Sequence, residues 1–166
     1  MGRLAVACAF FFLSFHANAQ TYFSCDFEKG IPADFTLQDY DQNEPSASMK
    51  KIGFGVGMPW ISVATNKAET SHAACSTSWY AKAGTSDDWM ITPVITLSGE
   101  NPVISWKAMA ADAKHADGYV VYLSTDGGTD KLSFDMTNPL YSVAKEEADW
   151  VEHTISLKDY VGKSIR

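Results

Sequence analysis

Asp26 and Glu28 stand two residues apart in the run Cys25-Asp26-Phe27-Glu28. On a β-strand, alternate residues share a face, so both carboxylates would point one way while Phe27 packs the other. Two carboxylates on one face suit a hard cation, because Ca2+ takes roughly six to eight oxygens at about 2.3–2.6 Å. The other reading of the pair is a solvated acidic edge. Asp87 and Asp88 precede a strand inside a Ser/Gly/Thr-rich stretch. Aspartate in such a place commonly hydrogen-bonds its own loop backbone, and the alternative, contact with a metal or ligand, is assigned to Asp88. Asp126-Gly127-Gly128-Thr129-Asp130 superficially resembles a calcium loop. It lacks the spaced carboxylates and terminal Glu of an EF-hand, which leaves a hairpin turn.

Catalysis finds little support. A thiol hydrolase would need Cys75 activated by His72 or His115, yet strand geometry puts His72 and Cys75, three residues apart, on opposite faces. No local thiol-protease signature, nucleophile elbow, HExxH spacing or strand-to-helix glycine loop is present, so no catalytic residue is assigned. The aromatics are a second resource. Trp60, Trp79, Tyr80, Tyr40 and Trp150 could offer flat surfaces to sugars or proteins, with Trp60 and Tyr80 preferred as ligand-binding residues because they border loops. Trp89 and Trp106 fit a core, which is where most aromatics of a sandwich lie.

The elements that must position these groups read as short strands. Tyr22 to Phe27 is the first, closed by Gly30-Ile31-Pro32, and Phe35 to Tyr40 the second. Asp41 to Ser48 reads as a loop, and the permissive backbone of Gly53, Gly55 and Gly57 follows it. Trp60 to Thr65 and Ala73 to Trp79 resume strand character. Trp89 to Leu97 is an edge or is split in two by Pro93. Val103 to Met109 alternates best, with Ile104, Trp106 and Ala108 on one face. Tyr119 to Ser124 runs into the Asp126-Gly127-Gly128 turn, and Trp150 to Leu157 is a further strand. No helical-length window has a 3.6-residue period, and Val143 to Ala148 makes one turn at most. About eight strands separated by turns predict an all-β, jelly-roll-like antiparallel β-sandwich.

The chain has 166 residues, a net charge of −7, and 46% hydrophobic and 20% charged residues, an ordinary globular composition of one-domain length. The acidic balance argues against nucleic acid as a partner, since phosphate recognition wants a basic face. Residues 1–19 read as a cleaved signal peptide: Arg3, an apolar run from Leu4 to Phe15, then Ala17-Asn18-Ala19. About 12 apolar residues are too few for a membrane span, and Cys8 lies inside the run, where no lipoprotein cysteine belongs. The expected mature domain, 20–166, keeps Cys25 and Cys75. An even pair in an oxidising compartment is either one disulfide or two buried free thiols.

The residues also resemble a family. Asp26-Phe27-Glu28-Lys29-Gly30-Ile31-Pro32 is similar to the opening of the cleaved-adhesin domains, also called choice-of-anchor J, of secreted Bacteroidetes proteins such as the gingipains. Asp87-Asp88-Trp89-Met90-Ile91-Thr92-Pro93 resembles the family's second motif. Val103 to Ala108, Tyr119 to Thr125 and Gly162 to Arg166 follow in the family's order. The resemblance implies a jelly roll of two antiparallel sheets and a secreted or cell-surface, non-catalytic domain that binds host or surface protein or glycan. It also implies structural calcium held by Glu28 first and Asp26 second. The family's closing acidic strand is missing after Arg166, so either the gene stops early or the chain is cut from a longer protein. A small secreted hydrolase with an unrecognised site, or a purely structural accessory domain, is the alternative function.

Overall fold

The computed structural model describes residues 20–65 and 71–166, so the expected leader at 1–19 lies outside the described residues. The strands are β1 (Thr36–Asp39), β2 (Ile61–Ala64), β3 (His72–Cys75), β4 (Asp88–Ile91), β5 (Ile95–Thr96), β6 (Val103–Ala108), β7 (Tyr119–Val121), β8 (Tyr141–Val143), β9 (Val151–Ser156) and β10 (Ser164–Ile165). The protein is all-β with antiparallel pairing, as expected. The pairs are β1–β4, β2–β3, β5–β10, β6–β9 and β7–β8. Single hydrogen bonds stitch them further. Beyond the ends of β7 and β10, Ser124 and Arg166 exchange both backbone bonds at 3.0 Å, so β10 lies between β5 and the segment after β7. Among the described residues no helix is long and apolar enough to cross a membrane.

Local chemistry explains the breaks. Pro93 has no N–H to give a ladder, and the expected strand over 89–97 is accordingly two, β4 and β5. In β6 the exposure alternates strictly, with Ile104, Trp106 and Ala108 inward and Ser105 and Lys107 outward. Among the described residues the one α-helix is α1 (Ala47–Lys51), which starts inside the expected 41–48 loop and runs beyond it, and three single-turn 3-10 helices add to it. Ser46 caps it, its hydroxyl accepting the Met49 N–H at 3.3 Å.

The first expected strand is absent. Tyr22 to Phe27 runs as irregular chain, because Phe27 takes a left-handed φ of 60° and its carbonyl accepts the Gly30 N–H in a turn. Asp26 and Glu28 therefore do not share a strand face. Inside, Leu97, Leu157 and Ile165 are buried together, with Ile95, Ile104 and Leu123 packed on them. A second apolar group is aromatic: Trp89 stacks on Tyr122 at 5.4 Å and leans on Phe134 at 5.3 Å. A third centres on Trp106, flanked by Tyr141 and His153. Trp89 and Trp106 thus lie inside, where the sequence put them.

Candidate functional site

Pairing β1 with β4 sets Asp39 directly opposite Asp88, and the turn after β1 adds Asp41. Oxygens from these three carboxylates lie within 4.8 Å of one another. Each is held by its surroundings. Asp39 accepts the backbone N–H groups of Gln42 at 2.7 Å and Gly57 at 3.0 Å. Asp41 accepts those of Asn43 at 2.7 Å and Asp87 at 2.6 Å. Asp88 Oδ2 accepts the hydroxyls of Ser86 at 2.7 Å and Ser76 at 3.1 Å, and the Tyr80 hydroxyl lies between Asp41 and Asp88, at 3.2 and 3.3 Å.

Three half-buried carboxylates so close repel one another. Burial pushes the Asp88 carboxyl up, and the charges of Asp41 and Asp39 push it further, against the lowering hydroxyls of Ser86 and Ser76. Burial likewise drives the Tyr80 phenol up, beyond its ordinary range, so it stays a neutral donor. The nearby cation, Lys131, is engaged elsewhere: it pairs with Asp87 and lies 4.5 Å over the Tyr40 ring. Oxygen-only ligands of concentrated negative charge are what a hard divalent cation takes, and a cation here would cancel the repulsion that raises Asp88.

Asp88 was the ligand contact expected from sequence, and it sits in this cluster. Asp39 and Asp41 were not singled out. Their signal was the same acid-x-acid spacing as Asp26 and Glu28, but only the pairing of β1 with a strand some fifty residues on turns it into a three-carboxylate group.

Asp26 and Glu28 line a different, open cleft. Asp26 accepts the Glu28 N–H at 3.1 Å in a tight turn. Glu28 reaches the start of β3, accepting the Ser71 hydroxyl at 2.9 Å and the His72 N–H at 3.0 Å. Its carboxylate is thus a clasp between the N-terminal segment and β3. Glu28→Ala is expected to cost about 1 kcal/mol, or a melting temperature about 3 °C lower, with faster hydrogen exchange at the His72 amide. Unchanged exchange there would refute the clasp.

The other expected residues fall as follows. Cys25 and Cys75 are both free thiols, so the disulfide reading is not what the structure contains. Cys75 donates to its neighbour's carbonyl, Ser76 O, at 3.3 Å, and Cys25 lies in the irregular first segment. Burial raises the Cys75 thiol, away from the thiolate a nucleophile needs. The His72 imidazole lies 3.8 Å from Glu28, and His115 pairs with Asp112 at 2.9 Å. Neither arrangement activates Cys75. Tyr80 is committed to the acidic cluster, and the Trp60 indole N–H is buried with no acceptor among the described residues. The two preferred loop aromatics are therefore partly buried, whereas Trp79 and Trp150 are the exposed indoles, at 59% and 48%. Asp126 accepts from Gly128 N–H at 2.7 Å and from the Ser124 hydroxyl at 3.0 Å, which closes a local bend in the long connection between β7 and β8; the expected hairpin turn is not formed, because β8 begins only at Tyr141.

The sequence model of the cleaved adhesin domain matches residues 26–162. The chain belongs to the cleaved adhesin domain family. Among solved structures, the K3 cleaved adhesin domain of Lys-gingipain from Porphyromonas gingivalis superposes with a TM-score of 0.57 at 23% identity, over 84% of this chain and 82% of that one. That likeness bears on the fold alone. No curated protein sequence matches the chain. As a cleaved adhesin domain it contains, in the Asp39–Asp41–Asp88 group, the one acidic triad of metal-binding spacing among the described residues.

Proposed function

We propose that this cleaved adhesin domain is a non-catalytic recognition module of an exported protein, which binds protein or glycan on a host or other surface. The observation that carries the reading is the family match across residues 26–162, which takes in nearly the whole described domain. The state of Cys75 supports it against the hydrolase alternative: a raised thiol whose hydrogen bond goes to a backbone carbonyl has no base to activate it. Export rests on the leader-like residues 1–19.

Calcium is the cofactor of this reading, with a structural role. Two acidic positions compete for it: Asp26 with Glu28, and Asp39 with Asp41 and Asp88. The second offers more oxygens and gains more from neutralisation. Bound there, a cation would tie β1, the turn after it and β4 together and would take no part in chemistry.

A calcium titration by thermal unfolding tests this. At a concentration about 100 times the dissociation constant, a single site adds roughly 2.7 kcal/mol, or about 5–10 °C for a domain of this size. Asp88→Asn is expected to abolish the shift, whereas Glu28→Ala retains it. The reverse result would place the ion at the first segment, and no shift in the parent would remove calcium altogether. The pH dependence has a definite sign. With its pKa raised in the fold, Asp88 destabilises the metal-free protein while ionised, and that penalty disappears as pH falls through the elevated value. The calcium increment should therefore be full at neutral pH and vanish on acidification, a trend read by repeating the titration from pH 7 to pH 4. Binding of the full chain to immobilised host-protein and glycan arrays tests the recognition role, and uniform silence on both would overturn it.

A further inference from the structure

The cleft beside Asp26 and Glu28 has a floor that the acidic clasp does not explain. On the outer face of the β6–β9 pair, Lys107 stands opposite Glu152, and Trp150 precedes Glu152 by two residues. Trp150 stands one residue before β9, at the end of the ladder beside Lys107. Both line the cleft, with Asp26, Ser71 and His72 along its opposite wall. The indole is 48% exposed, whereas Trp89 and Trp106 are half-buried and packed on other rings. The opposite wall is fixed by Glu28, whose two oxygens are spent on Ser71 and His72, so the polar groups around the indole are held before any ligand arrives.

We propose that this cleft is a subsite for one neutral pyranose ring of a glycan, with Trp150 as the stacking platform and Lys107 and Asp26 as the hydroxyl-binding pair. The proposal rests on the recognition role argued above and names the ligand class and the site for it. Four features select a sugar. Among the described residues the indole is the sole large apolar group in the lining, so it offers a flat face for C–H groups and no pocket to seat the apolar side chain of a peptide. Around it stand a cationic donor, an anionic acceptor and a hydroxyl, the mixture that vicinal hydroxyls, each both donor and acceptor, can satisfy. The cleft volume, about 320 Å³, is at the low end of the roughly 300–1,000 Å³ of small-molecule sites, which suits one or two rings. Opposite charges on the two walls also fit a neutral ligand better than an anion or a cation.

The test is a titration of the 15N-labelled chain with methyl glycosides of glucose, galactose and N-acetylglucosamine, following the Trp150 indole N–H resonance, assigned from a Trp150→Phe spectrum. A saturable shift with at least one sugar is expected, with a Kd on the order of 1 mM, as the contact of a single ring supports. Trp150→Ala should weaken binding about tenfold or more and Lys107→Met several-fold, while Trp79→Ala, at the other exposed indole, changes nothing. Lys107 is on the solvent face of β6, so its variant reads the site even if Trp150→Ala proves unstable. No saturation with any sugar, or saturation indifferent to both substitutions, overturns the proposal. If the parent adheres to arrayed protein or glycan and Trp150→Ala adheres equally well, the subsite fails and the recognition role stands. If the parent adheres to nothing, both fail.

Discussion

Glu146→Ala is expected to melt about 10 °C below the parent, the equivalent of roughly 3–4 kcal/mol in a domain of this size. Glu146 lies just after β8 with 5% of its side chain exposed. Its Oε2 accepts the Tyr119 hydroxyl at 2.9 Å and meets His153 Nε2 at 2.9 Å, while Oε1 accepts the Glu147 N–H at 2.9 Å. Tyr119 in turn accepts the Trp106 indole N–H at 2.8 Å. One carboxylate therefore satisfies groups from β7, β9 and its own loop, and through Tyr119 a fourth from β6. Truncation leaves the Tyr119 O–H and the His153 imidazole inside without their acceptor, and the cost of such orphans exceeds that of never having had the network.

The acid limb of stability carries the same signature. Burial pulls the Glu146 carboxyl upward, but the hydrogen bonds from Glu147, Tyr119 and His153 outweigh it and hold the group below its ordinary value of 4.5. A depressed carboxyl contributes stability that is complete above the unfolded value and is lost as pH falls through the folded one. The gap in melting temperature between the parent and Glu146→Gln should accordingly narrow as pH drops below about 4.5. Melting curves from pH 7 to pH 3 decide it. A gap constant across that range would mean that the charge of Glu146 contributes nothing.

Gly118→Ala is the second large effect. A β-carbon at Gly118, just before β7, would lie 2.1 Å from the Val143 carbonyl oxygen and 2.5 Å from the Ala144 carbonyl carbon. Those are backbone atoms at and just past the end of β8 and cannot rotate away. The β7–β8 register, Tyr119 opposite Val143, would have to open at that end. The expected cost is at or above the upper end of the roughly 1–3 kcal/mol of overpacking. Gly127 is the natural control. Its φ of 80° strains an alanine, but nothing lies within 4 Å, so Gly127→Ala should cost only about 1–2 kcal/mol. Urea unfolding of both variants ranks them, and a Gly118→Ala protein as stable as Gly127→Ala would contradict this packing.

Sequence reasoning succeeded where the cause is local. Pro93 breaks a strand because of its own missing donor, and the alternation of Ile104, Trp106 and Ala108 survives because a buried face enforces it. It failed where a distant partner decides. Tyr22 to Phe27 has strand composition, yet Phe27 turns left-handed and no strand pairs with the segment. Tyr141-Ser142-Val143 carries no strand reading from sequence, and only its pairing with β7 makes it one. The acidic cluster shows the same limit: Asp88 stood out beside its motif, but Asp39 and Asp41 acquire meaning only across the β1–β4 ladder. Trp60 and Tyr80 were preferred because they border loops. Proximity to a loop does not fix exposure: the Tyr80 hydroxyl meets Asp88, eight positions on, and Asp41, 39 positions back, and only the fold sets it between the two.

Arg166 has a consequence in time. Its side chain donates to Thr92 O at 2.9 Å across 74 positions and to Gly127 O at 2.9 Å across 39, and Thr96 meets Ser164 across 68. A ribosome releases these residues after β1 to β9 have emerged, so β5 and the segment after β7 must wait without their shared neighbour. Pairings of such separation pay their loop-closure entropy before any contact repays it, which places β-rich domains of this kind among slow folders, roughly milliseconds to seconds. During that wait the flanks of β5 and residue 124 remain open edges, the surfaces on which unfinished β-proteins meet one another. Docking of β10 is then less an ornament of the fold than the step that closes these two edges to other chains.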